Sequence, residues 1–337
     1  MKAYEIRDHF GLDALRLVDR PRPQPGHQEV LIKVRAVSLN YRDLMVVKGA
    51  YNPKMPLPRI PCSDGVGEVA ELGPGVTRVK AGQRVAGIFM QKWIAGELTD
   101  DKARSALGGA IDGLLAEYAV LHEEGVTPVP EHLSDEEAAT LPCAAVTAWH
   151  GLVTAGGVKA GDSVLAQGTG GVSLFALQFA RLAGARVLIT SSSDEKLRRA
   201  LALGASDGIN YKATPDWGER ARELTGGRGV DHVVEVGGAG TLGQSLRAVR
   251  LGGHISLIGV LTGNSGQVNP LPILMKNVRV QGIFVGSREM FEAMNRAIAL
   301  HRLRPVVDRV FPFAEAPAAF RHMESAAHFG KICIVTT

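Results

Sequence analysis

The residues best suited to chemistry lie in Val164-Leu165-Ala166-Gln167-Gly168-Thr169-Gly170-Gly171-Val172-Ser173, where a short apolar strand runs through a glycine turn into a helical stripe. Gly168, Gly170 and Ser173 occupy the small-residue places of a G-x-G-x-x-G turn. Such a turn needs one small residue to reverse the chain, one to let backbone approach a pyrophosphate, and one for helix–strand contact. The helix that follows offers unpaired N–H groups and a positive dipole end to the phosphates. Ser173 in the third place widens the helix–strand contact. With a strand before it and a helix after it, the segment Gly168, Thr169, Gly170, Gly171, Val172 reads as a dinucleotide cradle.

The next strand, Val187-Leu188-Ile189-Thr190, ends in Ser191-Ser192-Ser193. An NAD site usually carries Asp or Glu at this tip, which binds the ribose 2′-OH and repels a 2′-phosphate. Here hydroxyls stand at the tip and Lys196 follows one helical turn on. Both suit a 2′-phosphate, so the expected cofactor is NADP(H). Asp194 and Glu195 fall in the first turn of the next helix, facing away.

The elements that must position these groups show in the rhythm of the chain. Residues 1–125 read as short strands broken by turns, with Pro21, Pro23, Pro25, Pro53, Pro56, Pro58 and Pro61 forbidding long helices. Residues 90–113 read as a surface lobe. From about residue 126 strand, turn and helix repeat: strands at 162–166, 186–190, 230–236 and 254–258, helices at 172–182 and 195–203. Continuous apolar strands in βα units imply a parallel, doubly wound sheet with helices on both faces. A last helix is expected over 288–301 and a last strand over 331–335. The fold class is α/β.

Composition sets the outer limits. The chain has 337 residues, enough for two domains, with 45% apolar and 21% charged residues. The 40 glycines follow no three-residue period and fit tight turns between buried strands. The balance of 38 Lys and Arg against 34 Asp and Glu leaves a charge of +4, too dispersed to argue for nucleic acid. Three cysteines form no disulfide framework. The start, Met1-Lys2-Ala3-Tyr4-Glu5-Ile6, lacks an apolar leader core, and no run of 18 apolar residues spans a membrane. A cytoplasmic enzyme is expected.

These features together resemble the medium-chain dehydrogenase/reductase superfamily, the zinc alcohol dehydrogenases and their quinone-reductase relatives. The resemblance covers essentially the whole chain. It rests on Ser38-Leu39-Asn40-Tyr41-Arg42-Asp43, Pro61-Cys62-Ser63-Asp64-Gly65-Val66-Gly67-Glu68-Val69, Leu141-Pro142-Cys143-Ala144-Ala145-Val146-Thr147-Ala148-Trp149, the glycine turn and the ending Gly330-Lys331-Ile332. It implies a GroES-like β-rich catalytic domain, residues 1–125 completed by 303–337, interrupted by a Rossmann NADP-binding domain, residues 126–302. Zinc members hold the catalytic ion with Cys, His and Cys. The corresponding residues here are Asn40, Ser63 and Cys143, so no zinc is expected, and residues 90–113 contain no cysteine for a structural zinc. Cys143 reads as a small buried apolar residue.

The zinc-free quinone-reductase branch is similar at these places. The resemblance puts Asn40 near the nicotinamide and Thr147 against the cofactor. It makes Lys196 and Tyr211 the pair that holds the NADPH 2′-phosphate, and it places Gly237, Gly259, Phe284 and Gly286 where backbone approaches the cofactor. Loss of a Lewis acid disfavours alcohol oxidation, which needs a stabilised alkoxide. Reduction of a conjugated C=C or a quinone instead needs an oriented hydride donor and a hydrogen bond to the developing oxyanion. The expected reaction is therefore NADPH-dependent hydride transfer to a quinone or α,β-unsaturated carbonyl. Asn40, Tyr41 and Thr147 are its candidate catalytic residues; Tyr41 is either a proton donor or a core aromatic. Arg42 with Asp43 reads as an ion pair, and His150 as a packing histidine. Tyr51, Met55, Phe89, Met90, Trp93 and Phe284 are either an apolar acceptor pocket or core. An alcohol dehydrogenase with an atypical zinc site and an NADPH-binding sensor are the alternatives. A homodimer is implied, pairing the edge strand at 277–283 with its copy.

Overall fold

Turn-rich alternating sequence and apolar βα sequence build different kinds of unit, and the computed structural model, which describes residues 1–263 and 265–336, contains both. One compact unit comprises residues 1–146 and the segment from Gly286; the other is residues 147–285.

In the first unit β1 (Lys2–Ile6) pairs antiparallel with β2 (Leu15–Asp19). The main sheet is built on the long β3 (Glu29–Leu39), flanked by β4 (Asp64–Leu72) and, further out, β5 (Arg84–Gly87). Strand β6 (Tyr118–His122) also pairs with β3, and β7 (Val126–Pro128) closes the sheet beside β5. Short helices α1 (Tyr41–Val47), α2 (Asp100–Ala103) and α3 (Asp135–Ala139) sit in the connections. Ser134 starts α3 with the capping box its spacing to Glu137 predicts. Val30, Ile32, Val34, Val37 and Leu39 of β3 supply much of the core. The segment 90–113, expected at the surface, buries Met90, Trp93 and Leu107; its glycines let the chain fold back while these large side chains pack inward.

A helical run crosses from the first unit into the second along the chain, with α4 (Val146–Trp149) between π-type turns at 141–145 and 150–155. Six strands follow: β8 (Ser163–Ala166), β9 (Arg186–Ser191), β10 (Asp207–Asn210), β11 (Val230–Glu235), β12 (Val249–Leu257) and β13 (Arg279–Gly282). All pairings among them are parallel, in the order β10-β9-β8-β11-β12-β13. Strands β8 and β11 are buried along their whole length, because α5 (Gly171–Leu182), α6 (Asp194–Ala202), α7 (Trp217–Leu224) and α8 (Ala239–Ala248) supply the covering layers of a doubly wound fold. A short α9 (Leu271–Met275) precedes the edge strand. The strand order reverses between β8 and β11, and ligands of such sheets bind outside the carboxyl ends of the strands at that point.

Helix α10 (Arg288–His301), β14 (Val307–Pro312), α11 (Ala316–Glu324) and β15 (Lys331–Val335) return to the first unit, where β15 pairs with β3. Residues 126–146 and 286–302, assigned by their rhythm to the nucleotide-binding domain, lie with this first unit. Strand β7 extends its sheet, and Asn295 of α10 donates to the Pro128 carbonyl at 3.0 Å. Among the described residues no helix is long and apolar enough to cross a membrane.

Candidate functional site

The second unit gathers the expected nucleotide residues at the carboxyl ends of its strands. Gly168 adopts φ +72°, in the left-handed region, and the turn passes through Gly170 into α5 at Gly171. A Cβ built on Gly168 or Gly170 would meet no atom within 4 Å, so the turn leaves open space where a side chain would stand. Thr169 is buried and Val172 half-buried. The Gly168 amide donates to Thr190 Oγ1 at 3.1 Å, tying the turn to β9, and the Ser173 hydroxyl donates to the Gln167 carbonyl. Ser173 thus stabilises the turn as well as filling the third glycine place.

One strand over, Ser191 ends β9 and lies opposite Asn210 in the register of β10. Tyr211 follows, its amide donating to the Ser191 carbonyl at 3.1 Å, with its ring exposed. Lys196 stands in the first turn of α6, where its amide bonds to Ser193 Oγ at 3.3 Å. The sheet therefore brings Ser191, Lys196 and Tyr211 to one corner. Asp194, expected to face away, instead reaches back to this strand end: Asn210, opposite Ser191 in the register, donates to its carboxylate at 2.7 Å, because the first turn of α6 stands over the end of β10.

Beneath the turns lies a polar network that the sequence analysis did not single out. Glu235, fully buried at the end of β11, accepts at Oε1 from the amides of Gly237 (2.8 Å) and Gly238 (3.0 Å) and from Thr241 Oγ1 (2.5 Å). Its Oε2 accepts from Gln167 Nε2 (2.6 Å) and from the Ser245 hydroxyl. Five donors and the amino end of α8 offset the burial of this carboxylate. Gln167 in turn accepts at Oε1 from the amides of Val236 (3.2 Å) and Gly237 (3.3 Å). Glu235 and Gln167 together fix the two turns that flank the switch point. A charged residue inside the apolar run Val233-Val234-Glu235-Val236 was the available signal.

Gly237 also accepts at its carbonyl from Thr262 Oγ1 at 2.8 Å, and Gly259 approaches so closely that a Cβ there would lie 2.5 Å from the Val236 carbonyl oxygen. Phe284 is exposed after β13. Val285 adopts φ +57°, unusual for a β-branched residue, and its carbonyl accepts from His150 Nδ1 at 2.7 Å. Burial lowers the His150 pKa. This partly buried hydrogen bond ties His150 to the turn at Val285. Thr147 is buried on α4.

The first unit holds a second polar cluster. Asn40 precedes α1, and its amide N–H bonds to Asp43 Oδ2 at 2.8 Å. Its side-chain Oδ1 accepts from Lys331 Nζ at 2.5 Å, and the same ammonium donates to the Leu39 carbonyl at 2.6 Å. Asn40 Nδ2 reaches Ser63 Oγ at 3.5 Å, and Ser63 donates to Asp64 Oδ1 at 2.7 Å. Asp64 Oδ2 accepts from the Cys143 amide at 3.0 Å. Asp43, Ser63 and Asp64 are wholly buried, and Lys331 is 3% exposed. Burial raises the Asp64 pKa to about 6, with Lys331 opposing the rise. Burial, reinforced by Asp64, pushes the Cys143 thiol far above its ordinary range, which keeps it protonated. Arg42 lies 3.5 Å from Asp43 Oδ1, donates to the Leu107 carbonyl and packs over the rings of Tyr51 and Phe89. Tyr41 is 46% exposed, which removes the core-aromatic reading. Met55, Phe89, Met90 and Trp93 are buried in the first unit, whereas Tyr51 is exposed. Gly286 opens the returning segment and is buried. Among the described residues no group of three or more His, Cys, Asp or Glu side chains is arranged to hold a metal ion.

Residues 26–131 match the alcohol dehydrogenase GroES-like domain family, and residues 171–299 match the zinc-binding dehydrogenase family. A zinc-type alcohol dehydrogenase-like protein of Schizosaccharomyces pombe is 46% identical, with 98% of each chain covered. An acryloyl-coenzyme A reductase of Metallosphaera sedula is 30% identical over 100% of both chains. A quinone oxidoreductase of Rattus norvegicus is 28% identical, covering 99% of this chain and 98% of its own. Among solved structures, an NAD-dependent alcohol dehydrogenase superposes with a TM-score of 0.92 at 36% identity, with 100% of both chains covered. A mycobacterial protein complexed with NADPH gives 0.83 at 30% identity, also over 100% of both chains.

Proposed function

The chain belongs to the medium-chain dehydrogenase/reductase superfamily and is an oxidoreductase of that family, and from this premise we propose that it is an NADPH-dependent, zinc-independent reductase of quinones or α,β-unsaturated carbonyls. The observation that carries the reading is the buried contact of Lys331 Nζ with Asn40 Oδ1. Asn40 stands where zinc members have their first ligand. A dication there would face the buried Lys331 ammonium, with a neutral amide and a hydroxyl in place of a thiolate and an imidazole, and the neighbouring Asp64 carboxylate is already held by the Ser63 hydroxyl and the Cys143 amide. These residues do not fit zinc, so every step of the proposal runs through the protein's own donors.

The nucleotide residues do fit NADPH. Gly168 and Gly170 leave room for a pyrophosphate at the amino end of α5, and Ser191, Lys196 and Tyr211 offer hydroxyl and ammonium donors to a 2′-phosphate. Within the second unit, backbone at Gly237, Gly259 and Phe284 and the Thr147 side chain are assigned to the rest of the cofactor, as the family resemblance implies, and Gly286 is assigned to it on the same ground. When bound, NADPH supplies the hydride. Asn40 Nδ2 donates to the carbonyl oxygen of the acceptor and stabilises the charge that grows there as the hydride arrives. Tyr41, exposed beside it in sequence, supplies the proton that completes the reduction. The acryloyl-coenzyme A and quinone enzymes among the relatives reduce acceptors of the conjugated kind, which supports this reading. Oxidation of NADPH by such an acceptor, undiminished by a chelator, is the expected behaviour, and activity that a chelator removes would count against it.

The working assembly in this proposal is a homodimer. Strand β13 is a sheet edge, and α9 just before it leaves Leu271, Leu274 and Met275 at 55%, 76% and 70% exposure. A two-fold pairing of β13 with its copy covers both. Light scattering is expected to give twice the 35.8 kDa chain mass, and the double change Leu274→Glu with Met275→Glu is expected to give single chains. A wild-type protein that runs as single chains would contradict the pairing, as would an unchanged dimer in the variant.

A further inference from the structure

Lys331 lies on β15, which pairs with β3 so that Ile332 faces Leu39. This pairing carries the lysine stem under the end of β3 and delivers its ammonium to the Leu39 carbonyl and to Asn40 Oδ1. An ammonium has only donors, so the atom of Asn40 that meets it must be the carbonyl oxygen. The amide orientation is thereby fixed by chemistry: Nδ2 points away from Lys331. Nδ2 lies 3.5 Å from Ser63 Oγ, whose own proton goes to Asp64, and the Asp64 carboxylate is a further acceptor for one of the two Nδ2 protons, which leaves the other to be presented. The cluster is a chain of donors running from Lys331 through Asn40 and Ser63 to Asp64. Asp43 and Asp64, both wholly buried, balance the charges of Lys331 and Arg42.

We propose that Lys331 is a positioning residue: its buried ammonium locks and polarises the Asn40 amide, so that Nδ2 presents a strengthened donor to the acceptor's carbonyl oxygen. A positive charge on the oxygen side of an amide withdraws electron density from its N–H groups and makes them better donors. This inference rests on the reductase reading of Asn40.

The test is a double-mutant cycle on the full chain. Lys331→Met and Asn40→Ala are each expected to lower kcat with a quinone or enone by about 30- to 100-fold, with the dissociation constant for NADPH within about twofold of wild type. The double variant is expected to fall no more than about threefold below the weaker single, because Lys331 acts through Asn40. Lys331→Arg is expected to recover most of the loss. Losses that multiply in the double variant would overturn the proposal, as would a wild-type kcat in Lys331→Met or a parallel loss of NADPH binding. Should Lys331→Met fail to fold, Lys331→Met with Asp64→Asn removes one charge of each sign, and the same 30- to 100-fold drop is expected relative to Asp64→Asn alone. A second readout needs neither cofactor nor acceptor. The side-chain amide proton pair of Asn40, identified by its absence in Asn40→Ala, is expected to shift in Lys331→Met, and an unmoved pair would overturn the contact. A shifted pair in a protein that reduces neither acceptor would support the lock and overturn the reductase reading alone.

Discussion

Glu235→Gln is expected to lower stability by about 3 kcal/mol and to weaken NADPH binding by at least tenfold, although the change is nearly isosteric and its site is fully buried. The reason is donor arithmetic. Both carboxylate oxygens accept, and all five partners donate. An amide replaces one acceptor with an –NH₂ group. Placed at Oε2, it meets the amide of Gln167, and Gln167 cannot simply turn over because its own oxygen accepts from Val236 and Gly237. Placed at Oε1, it meets two backbone amides that cannot rotate. Either choice leaves buried donors unpaired at about 1–3 kcal/mol each. Because the same bonds set the turns at 167–168 and 237–238, the damage passes to the nucleotide cradle. Thermal unfolding and NADPH titration check the two parts. A variant within about 0.5 kcal/mol of wild type would show that the network does not hold the turns.

Lys196→Ala is expected to raise the KM for NADPH by about 30- to 100-fold while leaving that for NADH within about threefold. A phosphate bonded to an ammonium is worth about 1.5–3 kcal/mol per charge-assisted hydrogen bond, and NADH has no phosphate at that corner. Tyr211→Phe, which removes one hydroxyl donor, is expected to act in the same direction but by about tenfold or less. The pair matters because the related structures divide, one an NAD-dependent dehydrogenase and another an NADPH complex. Ser191 ends β9 with a hydroxyl where an acid would exclude the phosphate. Equal losses with both nucleotides in Lys196→Ala would mean that the corner formed by Ser191, Lys196 and Tyr211 does not read the phosphate.

How much of this was legible in the sequence depends on how local the cause is. The strand–turn–helix around Gly168 could be read because its requirements are met within ten consecutive residues. The same holds for the helix at 288–301, where apolar spacing and the Ser287 cap agree. The family motifs named Asn40, Ser63 and Cys143 as departures from a zinc set. Glu235 escaped because its partners lie as far as 68 residues away, brought close only by the pairing of β8 with β11. Lys331 was visible as part of a closing strand and of the family-like ending Gly330-Lys331-Ile332, but its role depends on a contact spanning 291 residues. Residues 126–146 broke the expected boundary because a three-residue strand, β7, carries no periodicity of its own yet extends the first sheet. Val285 gave no warning at all, since a β-branched side chain argues against positive φ and only the surrounding structure imposes it.

The central claim is that hydride transfer here relies on a protein amide backed by a buried lysine rather than on a metal. The most direct measurement is the initial rate of NADPH oxidation, against NADH, with a quinone and with a small enone, after exhaustive dialysis against a strong chelator and with the chelator present. Turnover that prefers NADPH and is unchanged by the chelator is the expected result. Activity lost on chelation and restored by zinc, or confined to alcohols with NAD, would contradict it.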